Sequence, residues 1–214
     1  MNIKKQIANN LIQIKAIKLE PANPFTWASG WKSPIYCDNR KTLSYPELRT
    51  LIKNEFVSLI KEKFPKVEVI AGVATGAIAQ GALVAESMGL PFIYVRSKPK
   101  GHGLENMIEG DLKDGQKVVV VEDLISTGKS SLKAVEAIRF AGAEVLGLVA
   151  IFTYNFQLAE DSFTNLSCEY HTLSDYNSMI EEAVDMKYIN ESQVETLKNW
   201  RKSPDTWGKT DEED

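Results

Sequence analysis

The chain holds two cysteines, Cys37 and Cys168, and two histidines, His102 and His171, in 214 residues. No CxxC pair occurs, so neither a disulfide framework nor a zinc site of the usual spacing is expected. Long apolar runs are missing too. Met1 to Ile17 lacks the continuous apolar core of a signal peptide, and no stretch approaches the roughly 20 apolar residues needed to span a bilayer. A cytoplasmic protein is expected. Excess positive charge is also absent: the net charge is −4, which speaks against a general nucleic-acid surface. What is present is an ordinary globular composition, 43% apolar and 25% charged. Those values exclude a disordered, collagen-like or rod-like chain and allow a sizeable core without staples. No internal repeat or low-complexity linker divides residues 1–214, which are read as one domain. The first 18 residues carry Lys4, Lys5, Lys15 and Lys18 and no acid, and the run Asp211 to Asp214 is a solvated acidic tail.

Hydrophobic spacing supplies the elements. Ile3, Ile7, Leu11 and Ile14 recur at helical period. Residues 20–45 form an irregular segment rich in proline, glycine and serine, too apolar for a free linker. Pro46 opens a helix with Leu48, Leu51, Ile52, Phe56, Leu59 and Ile60 on one face. Strands are expected at Val67–Val73, Phe92–Val95, Val118–Val121 and Val145–Phe152. Helices are expected over Ala77–Met88 and Ser130–Phe140. Short β-branched runs alternating with helices predict an α/β fold with a mostly parallel sheet covered on both faces. Leu166–Tyr170 reads as a last strand, with Cys168 and His171 buried there. Ser192-x-x-Glu195 reads as a capping box opening a terminal helix. Trp200 and Trp207 read as packing anchors.

Three loops carry chemistry. In open parallel sheets, ligands bind beyond the carboxyl ends of strands. Four valines, Val118 to Val121, lead into Glu122 and Asp123, then Leu124, Ile125, Ser126, Thr127, Gly128, Lys129 and Ser130 at a helix start. Backbone N–H groups and the helix dipole make such a start an anion site, and Gly128 lets the backbone wrap closely around a phosphate. A nucleotide P-loop is excluded, because its pattern needs glycine where Asp123 stands. The acids could merely cap the next helix. Followed by a hydroxyl-rich turn, they point instead to a sugar with a phosphate at one end. The second loop, Gly72-Val73-Ala74-Thr75-Gly76-Ala77, suits either close ligand approach or tight strand–helix packing. The third, Arg96-Ser97-Lys98-Pro99-Lys100-Gly101-His102-Gly103, gathers cations on a loop that proline and glycine keep from being helical. Charge runs are most often solvated faces. Acids, a phosphate cradle and cations at one sheet edge together imply a substrate bearing several phosphates.

Val118 to Ser131 resembles the phosphoribosyl-pyrophosphate (PRPP) signature of type I phosphoribosyltransferases. Phe25 to Arg40 and the stretch from Arg96 to Gly110 resemble segments of orotate phosphoribosyltransferases. The resemblance runs from about Phe25 to Phe152. It implies the type I phosphoribosyltransferase fold, with a small N-terminal hood from about residues 1–45. It implies transfer of ribose 5-phosphate from PRPP to orotate, giving orotidine 5′-monophosphate and pyrophosphate in pyrimidine biosynthesis. Glu122 and Asp123 would hold the ribose hydroxyls, Ser126 to Ser130 would wrap the 5′-phosphate, and Leu124 and Ile125 would also bind PRPP. Ser126 would also touch orotate, and Thr75 and Gly76 would face the pyrophosphate. Lys32 would approach the pyrophosphate and the orotate side. Arg96, Lys100 and His102 would act as catalytic loop residues from the neighbouring subunit of a homodimer. Mg²⁺ would be carried by PRPP oxygens and water, with no direct protein ligand.

Two positions depart from the pattern. Many members carry a second lysine after the loop arginine, where this chain has Ser97 followed by Lys98. Many carry an arginine after the strand ending near residue 152, where this chain reads Phe152-Thr153-Tyr154-Asn155. That leaves the orotate carboxylate to backbone amides and hydroxyls. Two other readings stay open: the same fold acting on a purine or uracil, and a PRPP-sensing regulator without catalysis.

Overall fold

The computed structural model describes residues 2–27, 29–98 and 107–208. Helix α1 (Ile3–Gln13) follows the predicted spacing and is capped by Asn2, whose side chain accepts from the Lys4 N–H. Short strands precede and enter the segment expected to be irregular. These are β1 (Ile17–Leu19), β2 (Phe25–Thr26), β3 (Lys32–Ser33) and β4 (Ile35–Cys37), followed by a 3₁₀ helix over Asn39–Ser44. β1 pairs with β4 and β2 with β3, both antiparallel. Helix α2 (Pro46–Lys63) starts on its proline and buries Leu48, Ile52, Phe56 and Ile60.

The alternating part follows as β5 (Val69–Val73), α3 (Ile78–Met88), β6 (Phe92–Val95), β7 (Ile108–Glu109), β8 (Lys117–Ile125), α4 (Lys129–Phe140) and β9 (Glu144–Thr153). Then come α5 (Gln157–Asn165), β10 (Tyr170–Asp175), α6 (Tyr176–Asp185) and α7 (Glu191–Lys202). The main sheet has the order β10-β9-β8-β5-β6-β7. Its pairs are parallel except β6 with β7. Side chains alternate across it. Val119 and Val121 join the core on the side of α2 and α3, whereas Val118 and Val120 join the core under α4 and α5. Each of these valines is fully buried, which contributes roughly 1.5–3 kcal/mol apiece. β8 is thereby fixed from both faces.

Several elements differ from expectation. β8 continues past Val121 to Ile125, so Glu122 and Asp123 lie within the strand. The last strand begins at Tyr170, after α5 ends and Ser167 takes a left-handed φ of 48°. Cys168 is buried just before it, and His171, on the strand, is partly exposed and bonds Glu169 at 2.7 Å. The terminal helix is opened by a capping box between Asn190 and Gln193, not Ser192 and Glu195. Helix α1 lies on the main body, with Lys4 bonded to Asp175 and Asn9 to Glu182. The short strands between Ile17 and Cys37 form two two-stranded sheets apart from the main sheet. Among the described residues, no helix is long and apolar enough to cross a membrane.

Candidate functional site

The carboxyl ends of β5 and β8 open into a cleft of about 450 Å³. Glu122, Asp123, Leu124 and the run Ser126 to Ser130 line it from one side, and Val73 to Gly76 from another. Cys37, Asp38 and Arg40 complete the lining. The two loops that sequence singled out at strand ends thus meet in one place.

Sheet register holds the acid pair. Glu122 pairs with Ala150 of β9, and its side chain is buried. Its Oε1 accepts the Asp123 N–H at 2.9 Å, and Oε2 accepts from the Ser131 hydroxyl at 3.0 Å. Burial pushes the Glu122 carboxyl well above the usual carboxylate range, and the neighbouring Asp123 charge adds to this. Burial also raises Asp123, against the pull of its bond to Glu122 and of the Arg40 charge. Each carboxyl is therefore harder to ionise here than in water, and each one's charge bears on the other.

The turn beyond them forms an anion cradle. Gly128 caps α4 with φ 80°, a conformation that favours glycine, and Lys129 opens the helix. The first N–H groups of a helix have no partner inside it, so those of Lys129, Ser130 and Ser131 are available at the cleft end, with the helix dipole behind them. Ile125 differs from its neighbours. Its side chain is buried in the core, and its carbonyl accepts the Tyr154 N–H at 3.1 Å, so it serves the turn through its backbone.

The second loop answers the question of close packing at two glycines. A Cβ on Gly72 would come within 2.9 Å of the Ala77 carbonyl, so that position serves strand–helix packing. A Cβ on Gly76 would collide with the Asp123 carboxylate. Gly76 is small because a site acid needs the space, which the linear sequence does not reveal.

A smaller cavity of about 210 Å³ adjoins the cleft through Cys37, Leu124 and Ser126, and is lined further by Thr26, Trp27, Tyr36 and Tyr154. Lys32 is not among the described lining residues of either cavity. Its Nζ donates to Thr26 Oγ1 at 3.0 Å, so it stands beside the smaller cavity. Arg96 is not among the described lining residues either. Its Nη1 lies 3.4 Å from Glu109 Oε1 on the neighbouring strand. Lys100 and His102 lie outside the described residues.

Sequence reasoning missed Cys37, Asp38, Arg40 and the aromatic wall. They sit in the segment from Phe25 to Arg40, whose resemblance was noted but yielded a role only for Lys32. It also missed Asn39, whose Nδ2 donates to the Asp123 carbonyl at 2.6 Å and ties the hood to the acid pair. Trp200 acts as the expected anchor. It is fully buried, contacts Trp27 and Tyr154, and donates from Nε1 to the Lys32 carbonyl at 3.1 Å.

A parallel sheet with an acid pair, a hydroxyl-rich phosphate cradle and a facing small-residue loop defines a phosphoribosyltransferase. The phosphoribosyl transferase domain family matches residues 41–188. The chain is 65% identical over 204 residues to the orotate phosphoribosyltransferase of Porphyromonas gingivalis, covering 95% of this chain and 97% of that one. It is 61% identical over 206 residues to that of Bacteroides thetaiotaomicron, covering 96% and 97%. The orotate phosphoribosyltransferase structure from Aeropyrum pernix superposes with a TM-score of 0.75 at 24% identity, covering 86% of this chain and 99% of that one. The chain belongs to the orotate phosphoribosyltransferase family.

Proposed function

We propose the following division of labour for the family reaction, in which ribose 5-phosphate passes from PRPP to orotate and pyrophosphate leaves. The observation that carries it is the meeting of Glu122, Asp123 and the Ser126–Ser130 cradle in one cleft beside an aromatic cavity. The N-terminus of α4 receives the 5′-phosphate. Asp123, with Glu122 behind it, accepts from the ribose hydroxyls, and Thr75 and Gly76 face the pyrophosphate. Orotate enters the smaller cavity, where Ser126 is shared with the cleft and Lys32 stands beside Thr26.

Displacement at the anomeric carbon builds positive charge on the sugar and negative charge on the departing pyrophosphate. Little covalent work falls to the protein, so orientation and fixed charge dominate. Asp123 lies at the sugar end, where its negative charge favours the cationic ring. The cradle holds the phosphate so that the ring presents one face to the base. Among the described residues no cluster of three carboxylate, histidine or cysteine side chains is placed to hold a metal ion, so magnesium would be carried by PRPP oxygens and water, with Asp123 the nearby acid on the cleft wall. Bound with PRPP, it would neutralise charge on the leaving group.

The catalytic loop, Arg96 to Gly103, acts from the second subunit of a homodimer in this reading. Within its own chain Arg96 lies 3.4 Å from Glu109 on β7 at the sheet edge. Closure of the loop would keep water from the reactive sugar. Steady-state assays with PRPP and magnesium against orotate, uracil, adenine and xanthine test the assignment. Turnover confined to orotate is expected; turnover with another base, and none with orotate, would overturn it.

A further inference from the structure

The cleft carries more negative than positive charge on its described walls. Asp38, Glu122 and Asp123 face Arg40 and Lys129 there, yet the substrate is anionic at both ends. Lys129 is the first residue of α4, beside the N-terminus that takes the 5′-phosphate. The other end needs a cation too, and the described same-chain cation left for it is Arg40. Resting on the reading above, we propose that Arg40 is a further catalytic residue, which binds the pyrophosphate group of PRPP from within the same chain.

Its surroundings are built for that task. Arg40 is the second residue of the 3₁₀ helix, whose first residue, Asn39, is fastened to the Asp123 carbonyl at 2.6 Å. The backbone of Arg40 is therefore fixed next to the acid that meets the sugar. Asp38 holds the guanidinium by a planar fork, accepting from Nε at 2.6 Å and Nη2 at 3.0 Å, and also accepts the Arg40 N–H at 3.2 Å. The fork keeps an exposed side chain oriented at the cleft mouth. Guanidinium geometry suits two oxygens of a phosphate as well as those of a carboxylate, so ligand oxygens can share or replace the Asp38 partner. The Arg40 charge also bears on Asp123, favouring the ionised acid that sugar hydroxyls require.

PRPP and orotidine 5′-monophosphate separate this role from general support, because both carry ribose 5-phosphate and only PRPP carries pyrophosphate. Calorimetric titrations of both into wild type, Arg40→Gln and Arg40→Lys, in magnesium buffer, are the test. Loss of a charge-assisted contact should weaken PRPP binding by about tenfold to a hundredfold in Arg40→Gln. Nucleotide binding should stay within twofold, and Arg40→Lys should recover part of the loss. Unchanged PRPP affinity, or an equal loss for both ligands, would overturn the assignment. Wild-type protein that bound neither ligand would instead overturn the reading of the cleft, and the Arg40 role with it.

Discussion

The side-chain amide of Asn39 donates to the backbone carbonyl of Asp123 across 84 residues of sequence, at 2.6 Å. One bond thus joins the hood to the strand end that carries the acids, and both residues are largely removed from water. A buried carbonyl left without its donor costs about 1–3 kcal/mol. Asn39→Ala should therefore lower the melting temperature by several degrees. It should reduce kcat/KM for PRPP by about tenfold through loosening of Asp123. Unchanged kcat/KM in a folded variant would show that the tie is dispensable.

Gly76 allows a second test of the same acid. Any β-carbon there meets the Asp123 carboxylate, so Gly76→Ala must turn the acid away or move the loop. PRPP affinity should fall by at least about tenfold, while circular dichroism shows the fold intact. Wild-type affinity in Gly76→Ala would mean that the position of Asp123 does not matter.

The acid pair ties stability to pH. A carboxyl raised in the folded state holds its proton more tightly than in the unfolded chain. Its cost to stability therefore grows as pH rises from the unfolded value of about 4.3 through the folded value. Glu122 is raised well above the ordinary range by burial. Glu122→Gln should accordingly melt above wild type at pH 8, with the gap closing toward pH 4, and should lose most of its turnover. Wild type melting higher at pH 8 would contradict the raised value.

Lys100 lies on the loop proposed to cross between subunits. Lys100→Ala should lower turnover by about 10²–10³. Mixing it with Asp123→Ala, after subunit exchange, should restore about a quarter of wild-type activity, because half the dimers would each own one intact site. No recovery after confirmed exchange would place loop and acids in one chain's site.

The α/β alternation was legible in the sequence because buried parallel strands are continuous apolar runs, as Val118 to Val121 shows. The extension of β8 was hidden because Glu122 and Asp123 look like loop residues, though sheet pairing holds them. The hood strands have two or three residues each, too few to display a period. Helix α5 buries only Ala159 and Phe163, a stripe too thin to stand out. Helix α6 follows directly on β10 without a glycine or proline to mark the change. At the site, Glu122 to Ser130 could be read because the cradle is contiguous in sequence. Arg40, Asn39 and Tyr154 could not, since the fold alone brings them to the turn.

Heat exchanged when PRPP is titrated into the protein with magnesium at neutral pH tests the central claim most directly. Saturable binding at one site per chain is predicted. Absence of binding to well-folded protein would contradict the account.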